Sequence, residues 1–199
     1  MNTRSINIAN QLRGRKVLTE GGAVEMGALT DVVIDPLTGK ALGLIAQPKG
    51  GAPFYLAVAE CSFAGEVIMA STTATRVSFS SSMIEGVRAY AEMLGTNVVT
   101  RDGQLLGCVS EIHLLPSHHF IVYRVTESRW QRLFGEGFFI AGDLPYAYSR
   151  EGMRLIVPTQ TERLYSFQTI LDRVGSPELA WAGRVARPMT VSSSRNGAA

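Results

Sequence analysis

Cysteine is scarce in this sequence, and its scarcity excludes a fold built on disulfides. The 199 residues include two cysteines, Cys61 and Cys108, whereas small secreted domains that depend on disulfides carry several pairs. The N-terminus is polar and lacks the apolar segment of a secretion signal. We therefore expect a cytoplasmic protein whose cysteines are reduced and serve as small apolar side chains.

Long apolar runs and strong net charge are missing as well. No stretch approaches the roughly 20 apolar residues of a membrane-spanning helix, so we expect no transmembrane segment. The formal net charge is only +2, too small for a protein that neutralises many phosphates, and nucleic acid is an unexpected partner. Of the 19 basic residues, 16 are arginine, the residue better suited to paired hydrogen bonds at protein interfaces.

The motifs of the common enzyme classes are absent from the sequence. There is no HExxH, no nucleophile elbow and no phosphate loop, so we expect a non-catalytic protein without a cofactor. His113, His118 and His119 lie within seven residues and, with Cys108, are residue types that bind metal ions. No CxxC motif accompanies them, and residues 116–119 are typical of an exposed turn, so we predict no metal site.

An internal repeat organises the chain. Residues 12–22 align with residues 93–103, and four identical residues recur 81 positions later; after a one-residue deletion the match continues at a spacing of 80. The equivalent positions are Gly14 and Gly95, Val17 and Val98, Thr19 and Thr100, Gly22 and Gly103, Gly27 and Gly107, Asp31 and Glu111, and Pro36 and Pro116. Two diverged copies of one small unit are therefore predicted.

Each copy has the pattern of short antiparallel strands separated by turns. Asp102-Gly103 is typical of a tight hairpin, and Gly21-Gly22 can play the same part in the first copy. Further strands are predicted at 41–47, 54–58, 66–70, 120–125, 138–141 and 153–157. On the long strand after each hairpin, the residues expected to face the interior are Ala28, Thr30, Val32 and Ile34, and in the second copy Cys108, Ser110, Ile112 and Leu114.

Two helices are predicted around the second copy. Ser82 and Glu85 fit a capping box at the start of the first helix, and Gly95 can end it. A second, short helix is predicted at 168–174. The chain is thus divided into a first barrel-like repeat (1–79), a linker helix (80–94), a second repeat (95–175) and an extended tail (176–199). The predicted fold class is mainly β, with two tandem small antiparallel β-barrels joined by a short α-helix.

These repeated residues resemble the PRC-barrel family. The shared pattern is a Leu-x-Gly-x-x-Val start, a turn at Asp-Gly, a Gly before a strand that carries Asp or Glu, and a Phe-Tyr-Leu type strand, over residues 12–69 and again over 94–157. The family is named after the cytoplasmic domain of the photosynthetic reaction centre H subunit and also occurs in ribosome-maturation factors. The resemblance implies a small barrel fold and protein binding without catalysis.

The expected function is that of an adaptor or structural subunit that binds other proteins in a larger assembly. The most specific form of this prediction is a peripheral subunit on the cytoplasmic face of a photosynthetic membrane complex. The alternative is an accessory factor for ribosome maturation, or for cell division or sporulation, that binds protein or RNA partners. Fold resemblance alone does not fix a function.

The predicted partner-binding residues lie where the two copies differ and in the tail. Residues 48–53 connect two strands of the first copy, whereas the second copy uses the longer segment 126–137, rich in arginine and aromatic residues. Such residues are typical of protein-binding hot spots and of shallow contacts with anionic membranes; alternatively, the aromatic rings cover an open barrel end. The tail either orders on a partner or stays solvated. The predicted residues are Arg129, Trp130, Arg132, Leu133, Phe134, Trp181, Arg184 and Arg187.

Overall fold

The computed structural model describes residues 5–21, 24–79, 87–128, 131 and 136–174. Strands dominate these residues, so the predicted mainly β fold is confirmed. The strands are β1 (Ile6–Asn7), β2 (Lys16–Thr19), β3 (Glu25–Asp35), β4 (Lys40–Gln47), β5 (Phe54–Ala57), β6 (Cys61–Ala64), β7 (Val67–Ala70), β8 (Val77–Ser78), β9 (Arg88–Ala89), β10 (Asn97–Thr100), β11 (Leu105–Leu115), β12 (Phe120–Thr126), β13 (Phe138–Ala141), β14 (Ala147–Ser149) and β15 (Arg154–Val157).

The six short strands predicted from the sequence all form, and none of their ends is shifted by more than one residue. Their sequences are rich in β-branched and aromatic residues, which pack well on a pleated surface. The strand β12, Phe-Ile-Val-Tyr-Arg-Val-Thr, is the clearest example. Local composition and flanking turns therefore suffice to place these strands.

Among the described residues, helical structure is limited to short segments. They are a π-helical turn (Ile8–Leu12), 3-10 turns at Val58–Glu60 and Pro116–His118, α1 (Tyr90–Met93) and α2 (Phe167–Val174). The prediction of a short helix at 168–174 is confirmed by α2.

The linker helix predicted over 80–94 is confirmed only in part within the described residues. Arg88 and Ala89 form the strand β9, and only Tyr90–Met93 is helical. The backbone of Arg88 and Ala89 pairs with β3, so its hydrogen-bonding groups are satisfied across strands rather than within a helix. Ser82 and Glu85, the predicted capping box, lie outside the described residues.

The strands of the main sheet follow an order that is the same from either end. The order is β14-β15-β10-β11-β12-β4-β3-β2-β7-β6, and each strand of one half occupies the place of its counterpart in the other. Both β3 and β11 have eleven residues. The pairings of the described residues leave this path open, so closed barrels and a tandem arrangement of two domains stay predictions.

The expectation of purely antiparallel pairing is wrong at one place in each half. β2 pairs with β7, and β10 with β15, in parallel. The chain reverses at each turn from β2 to β5, but β6 continues in the direction of β5 after the 3-10 turn Val58–Glu60. β7 therefore returns parallel to β2, across the kind of long connection that parallel neighbours require.

A two-rung ladder joins the halves at the middle of the sheet. The Ala41 N–H donates to the His119 carbonyl at 2.8 Å, and the Ile121 N–H donates to the Gly39 carbonyl at 2.9 Å. Gly39 and Ala41 precede His119 and Ile121 by 80 positions each, so the internal repeat relates one bond to the other. The local two-fold axis that relates the two halves therefore passes through this ladder.

In each half, the short strand that precedes the repeat pairs with the long strand of the other half. β1, which precedes the first half, pairs with β11 through Asn7 and His113. β9, which precedes the second half, pairs with β3 through Ala89 and Val33. Val33 and His113 are 80 positions apart, so the exchange is reciprocal.

The interior face predicted for β3 and β11 is wrong at Ala28, Thr30 and Cys108, which are half-buried. Ser110 is buried as predicted, at 6% exposed. Leu29 and Val109 are each 1% exposed and lie in the core. The pairing register shifts immediately after Leu29 and immediately after Val109. A β-bulge of this kind inverts the alternation of side chains. Beyond the bulge the prediction is confirmed, at Val32, Ile34, Ile112 and Leu114.

One hydrophobic core runs through both halves. It contains the inward side chains of β3 and β4 together with those of β11 and β12, including Leu29, Leu44, Val109 and Tyr123. A second, small cluster lies on the outer face of β11 and β12, beneath α2. The two halves therefore share their main core.

Gly39 tests the ladder that joins the halves. Its φ is +64°, and a Cβ at this position would overlap backbone atoms of Gly142 and Asp143. We expect Gly39→Ala to lower the free energy of unfolding by about 3 kcal/mol, from positive-φ strain and overpacking together. Urea unfolding followed by circular dichroism measures this loss.

Gly50→Ala is the matched control. Gly50 has a φ of +74° but open space around it, so only the backbone preference is lost, at about 1 kcal/mol. Equal losses at Gly39 and Gly50 would show that the junction tolerates a side chain and is not a close contact.

Candidate functional site

The residues predicted to bind partners all lie outside the described residues. Arg129, Trp130, Arg132, Leu133 and Phe134 belong to the long segment between β12 and β13, and the other three belong to the tail: Trp181, Arg184 and Arg187. Their role stays a prediction. The structure does describe residues on either side of the first group, together with Gln131 within it.

The two ends of the long segment are tied together at Gln131. The Glu127 N–H donates to Gln131 Oε1 at 2.7 Å, and the Gln131 N–H donates to Ser128 Oγ at 3.2 Å. The Glu136 N–H donates to the Gln131 carbonyl at 2.8 Å. Residues 127 and 136 therefore both bond to Gln131, and we call these three residues the base of the segment.

Beside this base lies a surface that we call the Arg163 shelf, formed by Glu127, Phe138, Arg163 and Tyr165. Arg163 pairs with Glu127 at 2.6 Å, and its guanidinium lies 5.0 Å from the centre of the Phe138 ring. The Tyr165 ring packs against Phe138 at 6.3 Å between centroids. Tyr165 is 72% exposed, so the shelf presents an aromatic ring to solvent next to a fixed cation.

The first half has a counterpart of this arrangement. The Arg76 guanidinium lies 5.3 Å from the centre of the Phe54 ring, and β8 pairs with β5 through Val77 and Tyr55. In the second half Leu164 forms the corresponding bridge to Phe139. The similar segments 75–79 and 162–167 were the available sequence signal, but nothing local shows which aromatic ring the arginine contacts.

A polar cluster on the outer face of β11 and β12 was missed by the sequence analysis as a unit. Glu111 accepts hydrogen bonds from Asn7 Nδ2 at 2.9 Å, from an Arg124 guanidinium nitrogen at 3.0 Å and from His113 Nε2 at 3.2 Å. Its members come from β1, β11 and β12, so one carboxylate holds the exchanged segment to the sheet.

Aromatic rings enclose the His113 end of this cluster. The imidazole lies 5.7 Å from the Phe139 ring and 5.3 Å from the Phe167 ring of α2. Burial lowers the pKa of His113, while the adjacent Glu111 carboxylate acts in the opposite direction and is outweighed. His113 therefore favours its neutral form.

Asp31 occupies the equivalent position in the first half. It accepts from the Val32 N–H at 2.8 Å, and the N–H groups of Tyr90 and Ala91 at the start of α1 also lower its pKa. Burial nevertheless raises the pKa of Asp31 overall. Each half therefore uses the carboxylate of its long strand to hold the segment exchanged from the other half.

The three histidines do not converge. His113 faces Glu111 and the aromatic rings, the imidazole Nδ1 of His118 lies 2.8 Å from Ser117 Oγ, and His119 ends the 3-10 turn with a φ of +48°. Within the described residues no group of three or more His, Cys, Asp or Glu side chains is arranged to hold a metal ion.

The chain matches the PRC-barrel domain over residues 7–74. Residues 7–74 are a PRC-barrel domain. The family predicted from the sequence is confirmed for the first half, and the PRC-barrel domain contains strands β2 to β7. Membership of the second half stays a prediction.

The PRC-barrel domain takes in one strand from beyond its own end, because β9 pairs with β3. No protein of curated function matches the chain. Among solved structures, a candidate 16S ribosomal RNA processing protein, RimM, from Pseudomonas aeruginosa is similar at 13% identity, over 78% of this chain and 97% of that chain, with a TM-score of 0.28. In the part of the chain that the structure describes, no helix is both long and apolar enough to cross a membrane.

The Glu111 cluster is tested by Glu111→Gln. The side chains of Glu111 and Arg124 are 31% and 17% exposed, so the substitution leaves a largely buried guanidinium without its charge partner. We expect a loss of about 2 kcal/mol in the free energy of unfolding. The control is Glu25→Gln, since Glu25 pairs with Lys16 while both side chains are more than half exposed. There we expect no measurable change, and equal losses would contradict a structural role for the cluster.

Asp31→Asn, unlike Glu111→Gln, is not expected to lower the free energy of unfolding at neutral pH. Because burial raises the pKa of Asp31 in the folded protein, ionisation costs more folded than unfolded, and stability is lost as pH rises through that pKa. The amide can still accept from the α1 N–H groups. We therefore expect Asp31→Asn to be at least as stable as wild type at pH 7, with wild type gaining on it as pH falls to 4. Urea unfolding at both pH values measures this, and a clear loss at pH 7 would overturn it.

Proposed function

We propose that the protein is a non-catalytic adaptor that binds a protein partner through the Arg163 shelf and the long segment 126–137. The observation that carries this proposal is Tyr165, which is the most exposed of the large hydrophobic side chains in the described residues, at 72%. An exposed aromatic ring beside a fixed arginine is the combination in which protein-binding hot spots are enriched.

The shelf is held in place before any partner arrives. The Arg163 guanidinium is fixed from two sides, by the Glu127 carboxylate and by the Phe138 ring. Phe138 is 1% exposed and belongs to the main core, so the ring that supports both Arg163 and Tyr165 cannot move freely. A surface that needs no ordering loses less entropy on binding.

The long segment adds the rest of the proposed surface. Its arginine and aromatic residues lie between two ends that both meet at Gln131, immediately next to Glu127 of the shelf. The first half, with its short connection at 48–53, offers no counterpart of similar size. The proposed contact therefore lies on the second half of the molecule.

Two classes of partner follow from the family resemblance. One is a membrane-embedded photosynthetic complex, to which the protein would attach on the cytoplasmic side. The other comprises ribosomal, cell-division or sporulation proteins away from the membrane. The PRC-barrel domain occurs with both kinds of role, so the identity of the partner decides between them.

The proposal is tested by affinity purification of the full chain from its own cells under gentle detergent. We expect Tyr165→Ser and Trp130→Ala each to reduce recovery of the main partner by about tenfold or more, as for hot-spot truncations. The matched control is Tyr146→Ser, because Tyr146 is also a half-exposed tyrosine, at 50%, and is not one of the residues that form the shelf. Mass spectrometry and absorbance identify what is recovered.

The outcomes separate the possibilities. Pigment-bearing membrane proteins that depend on Tyr165 would support the photosynthetic role, whereas ribosomal or division proteins with the same dependence would support the alternative. If Tyr146→Ser lowers recovery as much as Tyr165→Ser, the shelf is not the contact. If wild type recovers no protein in stoichiometric amount, the adaptor role itself is wrong.

A further inference from the structure

The small core beneath α2 is separate from the main core. Its buried members are Leu115, Phe120, Val122, Leu164 and Ile170, and Phe139, Ala141, Phe167 and Leu171 pack against them. Ile170 is 1% exposed and Leu164 5%, so α2 and the residues before it close this cluster from outside. Removing α2 would expose apolar side chains of β11, β12 and β13 without opening the main core.

α2 depends on this contact for its existence. It has eight residues, Phe167–Val174, and isolated helices shorter than about 12 residues are marginal in water. Tertiary packing of its apolar side must therefore supply most of its stability. A change that weakens the contact would release the helix as a unit.

His113 lies directly beneath the first turn of α2. Its Nε2 donates to Glu111 at 3.2 Å, its ring lies 5.3 Å from Phe167, and its side chain is 14% exposed. Nδ1 is buried and has no hydrogen-bond partner among the described residues. In the neutral ring Nδ1 is an acceptor, but protonation would turn it into a buried donor with nothing to receive its hydrogen.

The surroundings give a second positive charge little support. Glu111 faces His113 from the same strand, but its carboxylate also receives Arg124 of β12 and Asn7 of β1. The groups that face His113 from β13 and α2 are the uncharged rings of Phe139 and Phe167. A protonated His113 would share one carboxylate with an arginine and place its other nitrogen against hydrocarbon.

We propose that α2 is a releasable cover, held down by neutral His113 and lifted when His113 is protonated, so that the apolar patch of Leu115, Phe120 and Val122 becomes accessible. This device is independent of the partner proposed for the Arg163 shelf. It stands on the separate small core, the short helix and the enclosed imidazole together.

The direction of the pH effect follows from linkage. With α2 docked, the pKa of His113 lies below its ordinary value of 6.5, chiefly through burial. Lifting α2 hydrates the ring and returns its pKa toward that value, so the lifted state binds the proton more readily. The cover is therefore fully held above about pH 7.5 and loses stability as the pH falls through 6.5 toward the docked pKa.

The test is hydrogen exchange of the full chain between pH 8 and pH 5, corrected for the intrinsic pH dependence of exchange and read by mass spectrometry. We expect the protection of residues 167–174 to fall by up to about tenfold for each pH unit below 6.5, relative to the centre of β3. His113→Gln should remove this relative fall. His118→Gln is the matched control, since His118 is exposed in a turn, and should retain it.

Phe167→Ala supplies a second readout in case His113→Gln also weakens the core. It should unprotect α2 at every pH and move the imidazole titration of His113, followed by NMR, toward 6.5. The proposal is overturned if α2 and β3 lose protection in parallel in wild type, if the relative fall persists in His113→Gln, or if the titration of His113 is unchanged in Phe167→Ala.

Discussion

The ladder between residues 39–41 and 119–121 is the contact on which the rest of this molecule depends. Two hydrogen bonds, each the counterpart of the other in the repeat, set the halves about a local two-fold axis. The absence of side chains at Gly39 and Gly142 lets the two backbones approach closely. Once this geometry is set, β1 reaches β11 and β9 reaches β3. Asp31 and Glu111 then hold the exchanged segments, and one hydrophobic core fills the space between the halves.

Much of the local structure could be predicted from the sequence because it depends on neighbouring residues. Short β-branched and aromatic runs between turn residues located six strands to within one residue, and the helix predicted at 168–174 differs from α2 by one residue. The repeat spacing placed Asp31 and Glu111 at equivalent positions. Other features depend on partners that are distant in the chain, and no local sequence pattern predicts them. They are the bulges after Leu29 and Val109, the strand β9 and the parallel pairing of β7.

The candidate site shows the same division. The segments 75–79 and 162–167 are similar, and each contains an arginine, Arg76 and Arg163. Their aromatic partners Phe54 and Phe138 can be recognised only from the pairing of the strands. The Glu111 cluster joins Asn7, His113 and Arg124 from three strands, and its members are unremarkable in sequence. Histidine spacing suggested metal chemistry as one possibility, whereas the fold surrounds His113 with rings and one shared carboxylate.

The reciprocal exchange of leading segments changes how the protein can be divided in the laboratory. A cut placed between the repeats by sequence would leave the first fragment without β9 and the second without β1. Each fragment would then carry an unpaired sheet edge at β3 or β11, and such edges favour association with other chains. Fragments made to map a binding function would thus be prone to self-assembly or aggregation, and point substitutions in the intact chain are the safer instrument.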